Sequence, residues 1–127
     1  MIFTVEHHTW LRARAADAHP FEVCGFIMRD GAIIEIRNLA KNPRHYFRMD
    51  LRQIGRTVDA RAISAIWHTH PNRDVRPSQK DLEAIRLCEW GYVIATEHEV
   101  VLYGARKSTF WDGFIEDQTL NLAVDFA

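Results

Sequence analysis

The stretch Ala62-Ile63-Ser64-Ala65-Ile66-Trp67-His68-Thr69-His70-Pro71, followed by the polar run 72–77 and by Ser78-Gln79-Lys80-Asp81, decides the architecture. Residues 62–67 form an apolar, strand-like run that halts at the histidines and the proline, and the run 72–77 is a loop. Ser78 then opens a helix to about Trp90, where Gly91 stops it. Working outward, Tyr92–Thr96 and Val100–Tyr103 read as two further strands. Upstream, Asp50 stands where an N-cap starts a helix to about Arg61, and His45–Met49 reads as a short strand. Phe21–Met28 and Ala32–Ile36 flank a turn at Asp30-Gly31 at hairpin spacing. Trp10, Leu11, Ala13, Ala15, Ala16 and Ala18 suit a helix over Val5–Ala18, which His19-Pro20 should end because the residue before proline avoids the α region. Strands alternating with helices predict an α/β (α+β) fold, a mixed sheet flanked by helices in a single domain.

Composition narrows the function. The 127 residues make one domain's length, which excludes a TIM barrel or a two-domain enzyme. With 47% hydrophobic and 26% charged residues the chain can bury a core, which excludes disorder. A formal net charge of -1 gives no global reason to expect nucleic acid or a membrane surface as partner. Cys24 and Cys88 form no Cys-x-x-Cys pair, so neither a disulfide framework nor a zinc ribbon is suggested and a reducing compartment is expected. No basic segment followed by a long apolar run begins the chain, and no stretch nears the ~18 apolar residues of a membrane span. The expectation is a soluble, unexported, cytoplasmic protein.

Chemistry concentrates at the deciding stretch. Residues two apart on a strand share a face, so His68 and His70 present their imidazoles side by side. Asp81 lies in the first turn of the next helix, on one stripe with Ile85 and Cys88, and is expected to face the sheet. Two neutral imidazoles and a carboxylate make three zinc ligands. Catalytic zinc sites keep that number and leave a fourth position to water, whose pKa falls to about 7. The released proton needs an acceptor, and the candidate is Glu22, an isolated carboxylate in the apolar run Phe21–Ile27.

His68-x-His70, seven residues, Ser78, two residues and Asp81, with Glu22-Val23-Cys24-Gly25 upstream, resemble the signature of the JAMM (MPN-plus) zinc metalloproteases. The resemblance covers about residues 20–103. It implies a cytidine-deaminase-like sheet with helices and hydrolysis of peptide or isopeptide bonds. His68, His70 and Asp81 match the zinc ligands, Glu22 the general base, and Ser78 the side chain that supports the developing oxyanion. Asn38-x-Ala40, Pro43, Phe47 and Pro77-Ser78 most resemble bacteriophage tail-assembly peptidase domains, with small bacterial peptidases acting on ubiquitin-like proteins close behind. The implied partner is a protein or peptide substrate, such as a tail protein or a ubiquitin-like protein. A non-catalytic scaffold or binding module of a tail or regulatory assembly is one competing reading, and a metal-dependent hydrolase acting on a non-peptide substrate through the same site is another.

Plainer roles are weighed beside these. Ser78 with Asp81 three residues on also makes a capping box, which is compatible with a site role. Cys24 shares a strand face with Glu22, but a free cysteine in an apolar run behaves as a small buried hydrophobe. Cys88 is expected in the core, and His7, His8, His19, His45 and His98 in solvated or capping roles. Arg44, Arg48, Arg52 and Arg56 suggest a solvated stripe, whereas Arg73, Arg76 and Lys80 stand beside the site, where they could meet an acidic or carboxylate-bearing substrate, a role the sequence does not favour over solvation. The domain is expected to span residues 1–107. A C-terminal extension, 108–127, has Leu120, Leu122, Val124 and Phe126 in a strand's period, and is expected to pack on the domain or across a homodimer.

Overall fold

The computed structural model describes residues 3–72 and 74–103, so Arg73 and the extension at 108–127 lie outside the described residues. Its elements are α1 (Val5–Ala18), β1 (Cys24–Met28), β2 (Ile33–Ile36), α2 (Leu51–Thr57), a 3-10 turn (Ala60–Ala62), β3 (Ile63–Thr69), α3 (Gln79–Leu87), β4 (Gly91–Ala95) and β5 (Val100–Tyr103). The five strands form one mixed sheet in the order β2-β1-β3-β4-β5. Only β3 and β4 run parallel, with α3 as their crossover, and the remaining pairs are antiparallel.

The strand period of two sends each strand's side chains to two cores. Ile27, Ala65, Trp67, Val93 and Leu102 pack with Phe3 and Leu11 at α1. On the other face, Tyr92, Ile94 and Val101 meet Ile85 of α3, while Phe26, Ile36 and Ile63 meet Ile54 of α2. A sheet covered on both faces is a three-layer solution to burying apolar surface. Gly25 sits where no side chain fits, because a Cβ there would overlap the Ile34 carbonyl oxygen and the Trp67 ring. His7 completes the start of α1: the Thr4 N–H donates to its Nδ1, and its Nε2–H donates to the Gly31 carbonyl at 2.7 Å, a capping role as expected.

Beyond shifts of one to three residues at the ends of β1, β2 and β4, four boundaries depart from the sequence reading. His45–Met49 is not a strand; only Met49 bridges Asn38. The segment is held instead by the Asn38 side chain, whose Nδ2–H groups donate to the Glu22 and Tyr46 carbonyls and whose Oδ1 accepts from the Ala40 and Arg48 amides. Helix α2 begins at the Asp50 cap but ends at Thr57, where Val58 turns extended and Asp59 caps the short 3-10 turn. Strand β3 runs on through His68 and Thr69 because the ladders to β1 and β4 continue there. Finally, α3 ends at Leu87, leaving Cys88 at its C-cap, half-buried rather than in the core.

The β2 edge is closed by a side chain. Gln53 of α2 donates to the Glu35 carbonyl at 3.1 Å and accepts from the Arg37 amide at 2.7 Å.

Candidate metal centre

The C-terminal end of β3 and the first turn of α3 meet on the face of the sheet that α2 and α3 cover. There His68 Nε2 lies 3.1 Å from His70 Nε2 and 3.2 Å from Asp81 Oδ1, and His70 Nε2 lies 3.1 Å from Asp81 Oδ2. Bonds of about 2.0–2.1 Å in a tetrahedron give ligand-to-ligand edges of about 3.3–3.4 Å, close to the separation of the two imidazole nitrogens and to that of each from its nearer Asp81 oxygen. His68, His70 and Asp81 thus form a cluster that can hold a metal ion.

The hydrogen-bond chemistry points the same way. The Asp74 carbonyl sits 2.6 Å from His70 Nδ1, and a carbonyl only accepts, so Nδ1 carries the hydrogen. In the neutral ring this leaves the Nε2 lone pair directed at the Asp81 carboxylate. Two lone pairs facing each other repel unless a proton or a metal ion stands between them, and a metal ion meets that need. His68 is fully buried and stacks on Phe47 with centroids 4.5 Å apart. Its Nδ1 has no hydrogen-bond partner among the described residues, so ring stacking takes over the orienting role that such a bond usually has.

Asp81 is fixed from every side. The Tyr92 hydroxyl donates to Oδ1 at 2.8 Å and the Ser78 amide to Oδ2 at 2.9 Å, while the Ser78 Oγ accepts from the Asp81 amide in the reciprocal half of the capping box. Burial works against the charge of this carboxylate, but the adjoining His68 and His70 imidazoles and the Ser78 amide outweigh it and hold its pKa far below the usual range. The Tyr92 phenol moves the opposite way, raised by burial and then by the Asp81 charge, so it stays a donor.

Glu22 precedes β1. Its amide donates to the Pro43 carbonyl at 2.6 Å and its carbonyl accepts from Asn38, which pins the backbone. The side chain is 7% exposed and accepts no hydrogen bond among the described residues, and burial pushes its pKa up to about 7, with the nearby His70 partly opposing this. Glu22, His70, Ser78, Asp81 and Tyr92 all line one open cavity of about 810 Å³. With Oγ accepting from the Asp81 amide, the Ser78 hydroxyl hydrogen remains available to that cavity.

A family model described as prokaryotic homologs of the JAB domain matches residues 4–112. The chain belongs to this family. Among curated proteins, this JAB-domain chain is 28% identical over 74 residues to a tail tip assembly protein K of Escherichia phage N15, a match covering 56% of the chain and 30% of that relative. The chain thus spans about a third of the phage protein's length. Among solved structures, a Desulfitobacterium hafniense protein studied in solution is 30% identical with a TM-score of 0.52, over 71% of this chain and 70% of that one. A Salinibacter ruber protein gives 22% identity and a TM-score of 0.47 over 82% and 81% of the two chains.

The JAB-domain site gathers all five residues singled out from sequence, but three supporting groups escaped that reading. Tyr92 passed as a strand hydrophobe, and its bond to Asp81 depends on the β3–β4 pairing that sets Tyr92 beside Ile66. Phe47 was assigned to a strand and instead covers His68 from a loop. The Asp74 carbonyl is a main-chain group with no residue-type signal at all. Cys24 is buried, with its thiol pKa pushed up to about 12 by burial, which suits a structural rather than a nucleophilic residue. Among the described residues no helix is long and apolar enough to cross a membrane.

Proposed function

We propose that the chain is a zinc-dependent peptidase or isopeptidase acting on a protein or peptide substrate in a reducing, cytoplasmic setting. The observation that carries this reading is the convergence of two imidazole nitrogens and the two oxygens of one carboxylate at 3.1–3.2 Å, with the His70 tautomer set by the Asp74 carbonyl. His68, His70 and Asp81 would hold zinc, which when bound polarises a carbonyl and acidifies a water.

The remaining steps belong to the chain's own groups. Glu22, whose carboxylate accepts no hydrogen bond among the described residues and whose pKa is raised to about 7, takes a proton at its carboxylate and returns it to the departing amine. Ser78 donates its hydroxyl hydrogen to the oxygen that gains charge as the carbonyl is attacked. Tyr92 and the Ser78 amide keep Asp81 ionised and in place. The resemblance to the tail tip assembly protein supports a substrate among phage tail proteins, and a ubiquitin-like protein is the alternative substrate.

Metal analysis and mass spectrometry of products from a peptide library test this. Near-stoichiometric zinc with cleavage that stops on chelation and resumes on zinc addition is the expected result. Bound zinc without any cleavage would overturn the enzyme in favour of a scaffold.

A further inference from the structure

The chain's arginines and lysines divide by how they are held. Arg14 is bonded to Glu35 through two nitrogens at 2.6 and 2.9 Å, and Arg76 is bonded to Asp74. Arg37 and Arg61 also lie within reach of acids. Arg44 and Lys80, both on the wall of the cavity, have no carboxylate partner among the described residues. Each rests on a ring instead: the Lys80 ammonium lies 4.6 Å from the Tyr46 ring centroid and the Arg44 guanidinium 5.8 Å from that of Phe21. An aromatic face restrains a cation without cancelling its charge. Lys80 immediately precedes Asp81, and Tyr46 immediately precedes the Phe47 that covers His68, so both cations are tied by one residue or a few to the metal centre's own supports.

We propose that Arg44 and Lys80 form a carboxylate-binding subsite that selects peptides carrying an anionic group close to the bond presented to His68, His70 and Asp81. The proposal deepens the peptidase reading and rests on it for the substrate's class. The carboxylate comes from an acidic side chain or from a free C-terminus, and the two sources are separable by experiment.

Three short acetylated peptides serve as probes against the full zinc-loaded chain, with binding read by calorimetry. One is neutral with a C-terminal amide, one has a central glutamate and a C-terminal amide, and one is neutral with a free C-terminal carboxylate. At least one carboxylate probe should bind about three- to tenfold more tightly than the neutral probe at low salt, the size expected of two solvent-exposed charge contacts. The preference should shrink toward 1 M salt and disappear in Arg44→Gln/Lys80→Gln, whose two positions are exposed and whose thermal unfolding should match wild type. Which probe gains identifies the source. Equal binding of all three, no measurable binding of any at millimolar concentration, or a preference that survives the double substitution each overturn the subsite. A preference without cleavage would sink the peptidase and keep the subsite, whereas equal cleavage and equal binding of all three would do the reverse.

Discussion

Asp81 and Glu22 are carboxylates 4% and 7% exposed in the walls of one cavity, and the chain treats them in opposite ways. At the start of α3, Asp81 meets a phenol, a backbone amide and two imidazoles, and is held ionised. Ahead of β1, Glu22 meets no side-chain donor among the described residues, and burial pushes its pKa up to about 7. Surroundings, not residue type, hold one carboxylate ionised and push the other toward its neutral form, the same division that separates acid and base roles in paired-carboxylate sites.

Exchanging their chemistry one at a time is the sharpest way to break that contrast. Asp81→Asn removes an anionic ligand, so zinc affinity should fall by more than the 10–100-fold that an outer-shell change costs, and turnover should drop to background; titration against a chromogenic chelator reads it. Glu22→Gln should keep zinc and the fold yet lose turnover by ~10²–10⁴-fold, and wild-type-like rates would remove Glu22 from the chemistry.

A third consequence concerns stability of the metal-free chain. The folded Glu22 pKa of about 7 lies above its ordinary 4.5, so between those values the folded state binds more protons than the unfolded one. Stability should therefore be highest below about pH 4.5 from this group and decline by up to about 3 kcal/mol as pH rises through 7. Glu22→Gln should abolish that decline and unfold later than wild type in urea at pH 8. A catalytic base needs the charged form, so turnover should climb over the same interval in which the metal-free fold weakens. Smallest is Tyr92→Phe. It removes the donor to Asp81 Oδ1 while His68 still faces that atom, and should weaken zinc by 10–100-fold at most and lower stability by about 1 kcal/mol.

Local signals carried much of this arrangement. The strand period put His68 and His70 on one face, and the capping box at Ser78 placed Asp81 in the first turn facing the sheet. The limits of α1 followed from the proline at 20 and from Leu11 and Ala15 on its buried stripe. Non-local pairing was not legible in the same way. Tyr92 reaches Asp81 through a parallel ladder that no nearby residue specifies, and His45–Met49 has a strand's residues but gives its backbone bonds to the Asn38 carboxamide. Val58 ends α2 early by turning extended, an outcome that the N-cap signal at Asp50 does not foretell.

One carboxamide on α2 has a wider reach than its size suggests. Gln53 offers β2 a counterfeit neighbour, a single side chain that answers both a donor and an acceptor on the sheet's outer margin. Chains that polymerise through open margins do so by lending each other such backbone groups, and here the loan is already taken. A visiting extended segment would have to displace that carboxamide before it could pair with β2 at this point of the margin.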